Sequence, residues 1–552
     1  MIERRRILKF SAACLAAVAA PHGSGLSAPA GPQQAGEADE FGGTGVAAGG
    51  ATGFFRVAKV GSRWLFVTPN GQAFFMTGVY AVIFSDENLV KRKYGDTATW
   101  AHYTARRLKS WSFNTLAEYY HRRLERERMP FVAIIKPSGN ALTNRWGFGP
   151  RAIKDLISLT DAKVYRGWRG SRTPDVWDPA FEAYIDGWLR RHGDHGGIID
   201  NPTKSPWLMG IATDDTDYLF GFGPGPEPRA ARMHPHLGWI VLVANFEQKE
   251  NERDKVSYEE PKVYSKYALR DFLKTRHQTI DELNAAWGST YTAFDSAGGW
   301  GRGTGLLDEN GHNRWAGQWR DDGEPLGMAP AVKSDLDAFL YQHAKRYFSV
   351  VTSKLRQYAP RHLVFGPAFL NGWGGLTREG ILRAAGETVD VVQVAIRDQQ
   401  ALELTARAVG DKPLVTWEAF LANPDSSHFR YPNKVEKPQW PLVFGTQEDR
   451  GRGYARKLDF LVNATTVTGD RPVAGIKLWA YKDYMREKMN FGLVTLSENA
   501  YDGREAVAKP GKDPWGFPTG AEERDYGDFL SRVREANLKS VDVIRRELRG
   551  GH

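Results

Sequence analysis

Val389-Asp390-Val391-Val392-Gln393-Val394 is followed by helical text from Gln399 to Val409 and then by Leu414-Val415-Thr416-Trp417. A short apolar run, an amphipathic stretch and a second apolar run read as a strand, a return helix and a parallel strand. The same unit extends in both directions. Upstream runs are Phe74–Tyr80, Phe113–Glu118, Phe131–Ile135, Trp207–Ala212 and Leu363–Gly366; downstream lies Val473–Trp479. Helical text separates them at Thr97–Ser110, after Asp178-Pro179, at Lys262–Arg276, Lys333–Tyr358, Thr377–Ala385 and Gly451–Thr466. Asp178 caps its helix and Pro179 opens it. Eight strand runs with interleaved helices predict an α/β fold, a (β/α)8 TIM barrel. A doubly wound sheet is the competing architecture, but no Gly-rich phosphate fingerprint follows the first run.

Around this frame the sequence predicts a short N-terminal β element at 53–72, a hairpin from Phe54 to Val67 turning at Pro69-Asn70-Gly71. The barrel is expected over 73–510 and a C-terminal helical extension over 511–552. Long Gly- and charge-rich insertions, 219–260 and 298–327, follow the fourth strand and its helix region, and the first is expected to lie over the barrel mouth.

The 552 residues contain 18 Trp, 58 Gly, 29 Pro and one Cys, with 41% hydrophobic and 12% aromatic residues. Aromatic content on this scale supplies a core and argues against disorder. One cysteine excludes a disulfide scaffold and a cysteine-built zinc site. A mean hydropathy of −0.47 argues against a polytopic membrane protein.

The first 30 residues read as an address. Arg4-Arg5-Arg6-Ile7-Leu8-Lys9 fits the twin-arginine pattern, an Ala-rich apolar run follows to Ala20, and Ala28-Pro29-Ala30 offers a cleavage site. A basic N-terminal membrane anchor is the competing interpretation. Cys14 lies inside this segment. Removing it also removes three of the nine net positive charges. What remains is a modest excess with no dense basic stripe, so nucleic acid is not an expected partner. Residues 31–52, Gly/Ala-rich, read as a flexible leader. The expected location is periplasmic or secreted.

In a barrel the chemistry sits just past the strands. The fourth run ends in Asp214, Asp215 and Asp217, and the seventh in Glu418. Two opposed carboxyl groups are what glycoside hydrolysis needs: one protonates the leaving oxygen, the other attacks the anomeric carbon. The aspartate cluster also suits a calcium or magnesium site, or a capped turn. For Glu418 the structural alternative is a buried ion pair. Tyr80, Asn114, Glu118, His121, Asn371, Trp373, Arg397, Trp479 and Asp483 are the expected substrate-binding set. Trp residues at strand ends and in Gly-rich loops suit the flat C–H faces of sugars. No cofactor and no metal are expected; the partner is a polysaccharide or oligosaccharide.

Several stretches resemble the clan of retaining (β/α)8 glycoside hydrolases, above all the β-agarases of glycoside hydrolase family 50 and then the family 42 β-galactosidases. They are Gly53–Val57 with Arg63–Gly71 and Phe74–Gly78, Pro174–Phe181, Asp271–Leu273 with Thr279–Gly288, Lys412–Glu418, Asn490–Val494 and Tyr501–Gly503. The resemblance implies Glu418 as nucleophile and an acid at the end of strand four. There the family carries an Asp-Asn-Glu-like sequence, whereas this chain has Asp214-Asp215-Thr216. Thr216 is no general acid at neutral pH. The resemblance therefore implies that Asp215 or Asp217 took the role, that another loop supplies the acid, or that the chain binds sugar without cleaving it. A polysaccharide lyase built around His121 or Arg397 is a third option.

Overall fold

The computed structural model describes residues 36–135, 137, 175–179, 181–191, 204–214, 264–297, 304–308, 329–368, 370–371, 378–419, 421–422, 442–444, 446–483, 491–503, 511–512, 518–519 and 528–550. All belong to one unit, Gly36–His552; a second unit, Met1–Ala35, with the expected export signal, lies outside them. So does the 219–260 insertion, and 298–327 is described only at 304–308.

Strands β1 (Arg56–Val60), β2 (Arg63–Val67) and β3 (Ala73–Phe74) form a small antiparallel sheet. Next come β4 (Met76–Val79), helices α1 (Glu87–Tyr94) and α2 (Thr97–Ser110), β5 (Thr115–Leu116), β6 (Phe131–Ile135), α3 (Phe181–Arg191) and β7 (Leu208–Thr213). Helices α4 (Tyr264–Arg276), α5 (Ile280–Trp287) and α6 (Pro330–Tyr358) lead to β8 (Leu363–Phe365). Then follow α7 (Glu379–Thr388), β9 (Val392–Val394), α8 (Gln399–Val409) and β10 (Leu414–Ala419). The chain ends through β11 (Leu421–Ala422), β12 (Leu442–Val443), α9 (Gln447–Asn463), β13 (Val473–Trp479), β14 (Gly511–Lys512), β15 (Pro518–Thr519) and α10 (Phe529–Gly550).

Eight strands form one parallel sheet in the order β8-β7-β6-β5-β4-β13-β10-β9. A parallel bridge from Phe365 to Val391 joins its two edges, so the sheet closes into the expected (β/α)8 barrel. Each sequence run predicted as a barrel strand overlaps one of these eight. The exception to regular alternation is β5, which is followed by a 3-10 turn, Arg122–Arg126, before β6.

Alternation along the strands sorts side chains into two apolar cores. Met76, Val132, Ile134, Met209, Phe365, Val415 and Trp417 fill the interior, while Leu116, Leu208, Ile211 and Leu414 join the helix-covered outer core. Gly475 of β13 lies opposite Met76, where an added Cβ would stand 2.4 Å from the Met76 Cβ. Only glycine lets the first and eighth strands pair this closely. Asp96 and Asp398 cap α2 and α8 by accepting from the amides of Thr99 and Ala401, which satisfies otherwise orphaned donors.

Three expectations need correction. The stretch expected as a flexible leader is anchored from Asp39 onward. Asp39 accepts from Thr68, Gln72 accepts from the amides of Asp39 and Gly45, and Phe41 packs in the interior core edge-on to Phe55 and tilted against Trp207. Small residues there permit close backbone approach beneath the barrel. The β1–β2 hairpin turns at Gly61-Ser62, and Pro69-Asn70-Gly71 joins β2 to β3 instead. Helix α10 is the eighth helix of the barrel and no appendage. Its Asn537 accepts from Tyr454 of α9 at 2.7 Å and donates to the carbonyl of Trp111, at the end of α2.

Candidate functional site

The C-terminal ends of the barrel strands carry unusual backbone. Ala81, Tyr119, Asp214 and Asn371 all adopt positive φ, between 53° and 67°, just past β4, β5, β7 and β8. A left-handed conformation on a non-glycine residue costs about 1–3 kcal/mol, and such strain gathers where geometry is imposed for function. The peptide between Trp479 and Ala480, past β13, is cis.

A polar network crosses the barrel beneath these turns. Lys477 of β13 donates to Glu118, past β5, at 2.6 Å, and both side chains are fully buried. The same ammonium contacts the Gln393 carbonyl oxygen of β9, and Gln393 donates on to Gly366, past β8. Burial pulls the Lys477 pKa down while Glu118 opposes the shift. The rings of Tyr80 and Phe365 lie 5.4 Å from the ammonium. Tyr80 also faces Trp479, with ring centroids 5.8 Å apart. Tyr80, Glu118 and Trp479 are thus brought together at the mouth. Lys477 is a residue that the sequence reading passed over. Its signal was a lone cation inside the apolar run Val473-Ala474-Gly475-Ile476-Lys477-Leu478-Trp479.

Glu418 stands one residue before the end of β10, in register with Leu478, while Trp417 pairs with Lys477 and Ala419 with Trp479. Asp214 is buried past β7 and accepts the hydroxyl of Tyr347 from α6. Asp215, Asp217 and Trp373 lie outside the described residues. The insertion expected over the mouth does too.

Other expected site residues serve the scaffold. Asn114 precedes β5, at the opposite end of the barrel from the mouth; it accepts from Thr77 and donates to the Phe75 carbonyl, tying the first two strands together. Its place near the start of the run Phe113–Glu118, and not past its end, was the sequence signal. Asp483 is fully buried and receives the Gly492 amide at 2.7 Å and the Tyr501 hydroxyl at 2.6 Å, which pins the segment after the eighth strand. Asn371 turns to α8 and donates to Thr405. His121 packs its ring on Phe84 and Trp100, on the α2 side, and burial lowers its pKa. Arg397 is exposed past β9. Among the described residues no group of three or more His, Cys, Asp or Glu side chains is arranged to hold a metal ion, and no helix is long and apolar enough to cross a membrane.

No family model matches the chain. It is similar to two curated proteins of Vibrio sp. (strain JT0107). It is 21% identical to β-agarase B over 532 residues, 82% of this chain and 47% of that protein. It is 22% identical to β-agarase A over 361 residues, 63% of this chain and 30% of that protein. The chain therefore spans less than half the length of these relatives. Among solved structures, the agarase AgWH50C superposes with a TM-score of 0.62 at 18% identity, over 92% of this chain and 68% of that one. An exo-β-agarase gives 0.60 at 17% identity, over 92% and 67%. The fold of this chain is the barrel fold of these two solved structures.

Proposed function

We propose that this chain is an exported, retaining glycoside hydrolase that cleaves galactose-containing, agar-like polysaccharide or oligosaccharide. The observation that carries the proposal is similarity to a β-agarase along 82% of the chain. It is supported by a barrel whose seventh strand carries Glu418 at its C-terminal end. The twin-arginine pattern at Arg4-Arg5 supports export.

In the proposed reaction Glu418 attacks the anomeric carbon, and an aspartate of the fourth-strand turn protonates the departing oxygen. A glycosyl–Glu418 ester forms. The same aspartate, now ionised, takes a proton from water as water attacks, which releases Glu418 and retains the configuration. Asp214 already accepts from Tyr347, which favours Asp215 or Asp217 as the acid. Retention calls for a carboxyl separation of about 5–5.5 Å. An aspartate is one methylene shorter than glutamate, so its backbone must stand closer to the substrate.

The test is incubation of purified protein with agarose and its oligosaccharides, with the product anomer followed by proton NMR. Early release of the retained anomer is expected. A folded protein that releases nothing from agar or any galactan sinks the proposal. Thr216 at the acid position favours one second reading, sugar binding without cleavage. Retardation in an agarose gel without product would establish it.

A further inference from the structure

The buried Lys477 network calls for a physical reason. Taking an ammonium and a carboxylate out of water is costly, and apolar side chains of similar size are often neutral or stabilising in their place. The pair therefore does not earn its position through stability alone. Its placement in the sheet is specific. Strand order runs β5-β4-β13-β10-β9. From β13 the ammonium reaches past β4 to Glu118 on one side and past β10 to Gln393 on the other. It brackets β4, which Tyr80 follows, and β10, which carries Glu418. Gly78 of β4 lies opposite Lys477, and a Cβ there would stand 3.4 Å from the Lys477 Cγ. The lysine stem therefore runs along the β4 backbone at ordinary van der Waals distance. Lys477 pairs with Trp417, one step below the Glu418–Leu478 pair and two below Ala419–Trp479.

We propose that Lys477, Glu118 and Gln393 form a positioning clamp that fixes the height and register of β10 and β13, and so the place at which Glu418 and Trp479 are presented. For Glu418 as a reacting group this rests on the proposed function; for the strand ends it does not. The clamp residues act through the strands and do not touch the sugar.

The experiment compares the full-length chain with a double variant, Lys477→Met with Glu118→Leu, and with Glu118→Gln, which keeps an acceptor for the ammonium. Hydrogen exchange is read over 414–419 and 473–479, against 131–135 as reference, beside thermal unfolding and steady-state kinetics on agar oligosaccharides. The double variant is expected to keep its Tm within about 3 °C. Exchange at the two strand ends accelerates about tenfold with the reference unchanged. kcat falls at least about tenfold with KM within about twofold. Glu118→Gln restores slow exchange and most of kcat. Unchanged strand-end exchange in the double variant overturns the proposal. So does a Tm loss beyond about 10 °C with fast exchange throughout, or a variant that cannot be recovered folded, because the pair is then a stability element. If the wild-type chain turns over no substrate, the proposed function fails, while the exchange comparison still decides the clamp.

Discussion

The Tyr347 hydroxyl donates to the Asp214 carboxylate, so a helix outside the barrel holds the turn that ends its fourth strand. Both groups are buried and Asp214 sits at φ +60°. In Tyr347→Phe the carboxylate loses this donor. The expected cost is about 1–3 kcal/mol in urea unfolding, with a fall in kcat because Asp214 leads directly in sequence to the candidate acids Asp215 and Asp217. A variant as stable and as active as wild type would show that the turn holds itself.

Glu418→Gln keeps size and removes the nucleophile. Turnover is expected to drop at least about a thousandfold with thermal stability preserved. In Glu418→Ala, azide should restore partial turnover and give a glycosyl azide of inverted configuration, detectable by mass. Full activity in Glu418→Gln ends the nucleophile assignment.

Arg63 of β2 is fully buried and donates to Glu547 of α10 at 2.6 Å, and Arg471 reaches the same oxygen at 3.0 Å. Glu547→Ala leaves a buried guanidinium without its counter-charge. Because Glu547 keeps 30% exposure, the cost should fall below that of a fully buried pair, at about 2 kcal/mol. Chemical unfolding checks it; a change under about 0.5 kcal/mol would demote the contact to an ordinary surface pair.

Glu387, at the end of α7, has its pKa lowered to about 2 by Lys345, with Tyr341 and Arg383 contributing. A depressed carboxylate pKa means that the unfolded chain takes up the proton first as pH falls. The stabilisation is therefore complete above about pH 4.5 and drains away toward pH 2. Melting of Glu387→Gln against wild type should show a gap at pH 6 that closes across this window. A gap of constant size from pH 6 to 2 would contradict the assignment.

The barrel was legible because its strands are buried on both faces and read as continuous apolar runs, from Phe74 to Trp479. The helix signals were equally local: Thr97–Ser110 and Gln399–Val409 match the observed helices at both ends. The rest depended on long-range pairing. Nothing local in 36–52 distinguishes a loose leader from an anchored one, because what holds it is Gln72, Thr68 and the interior core. Helix α10 read as an addition because the segment between it and β13 is long. Position after a strand brought Glu118 and Trp479 to the barrel mouth, yet the same rule also selected Asp483 and Asn371, whose side chains turn toward the scaffold. Strand alternation alone does not tell which way a side chain faces once the strand has ended.

The Arg63–Glu547 contact also bears on how the chain is made. Its partners are separated by 484 residues. At about 5–20 residues per second, the arginine emerges from the ribosome some 25–100 s before the glutamate exists. Until then the wall between the seventh and first helices is missing, and the apolar face of α9 that packs on α10 has no cover. The helical wall around the strands therefore closes only after α10 has been made. A nascent chain of this protein has to be kept from associating through that open flank until its final helix has been synthesised.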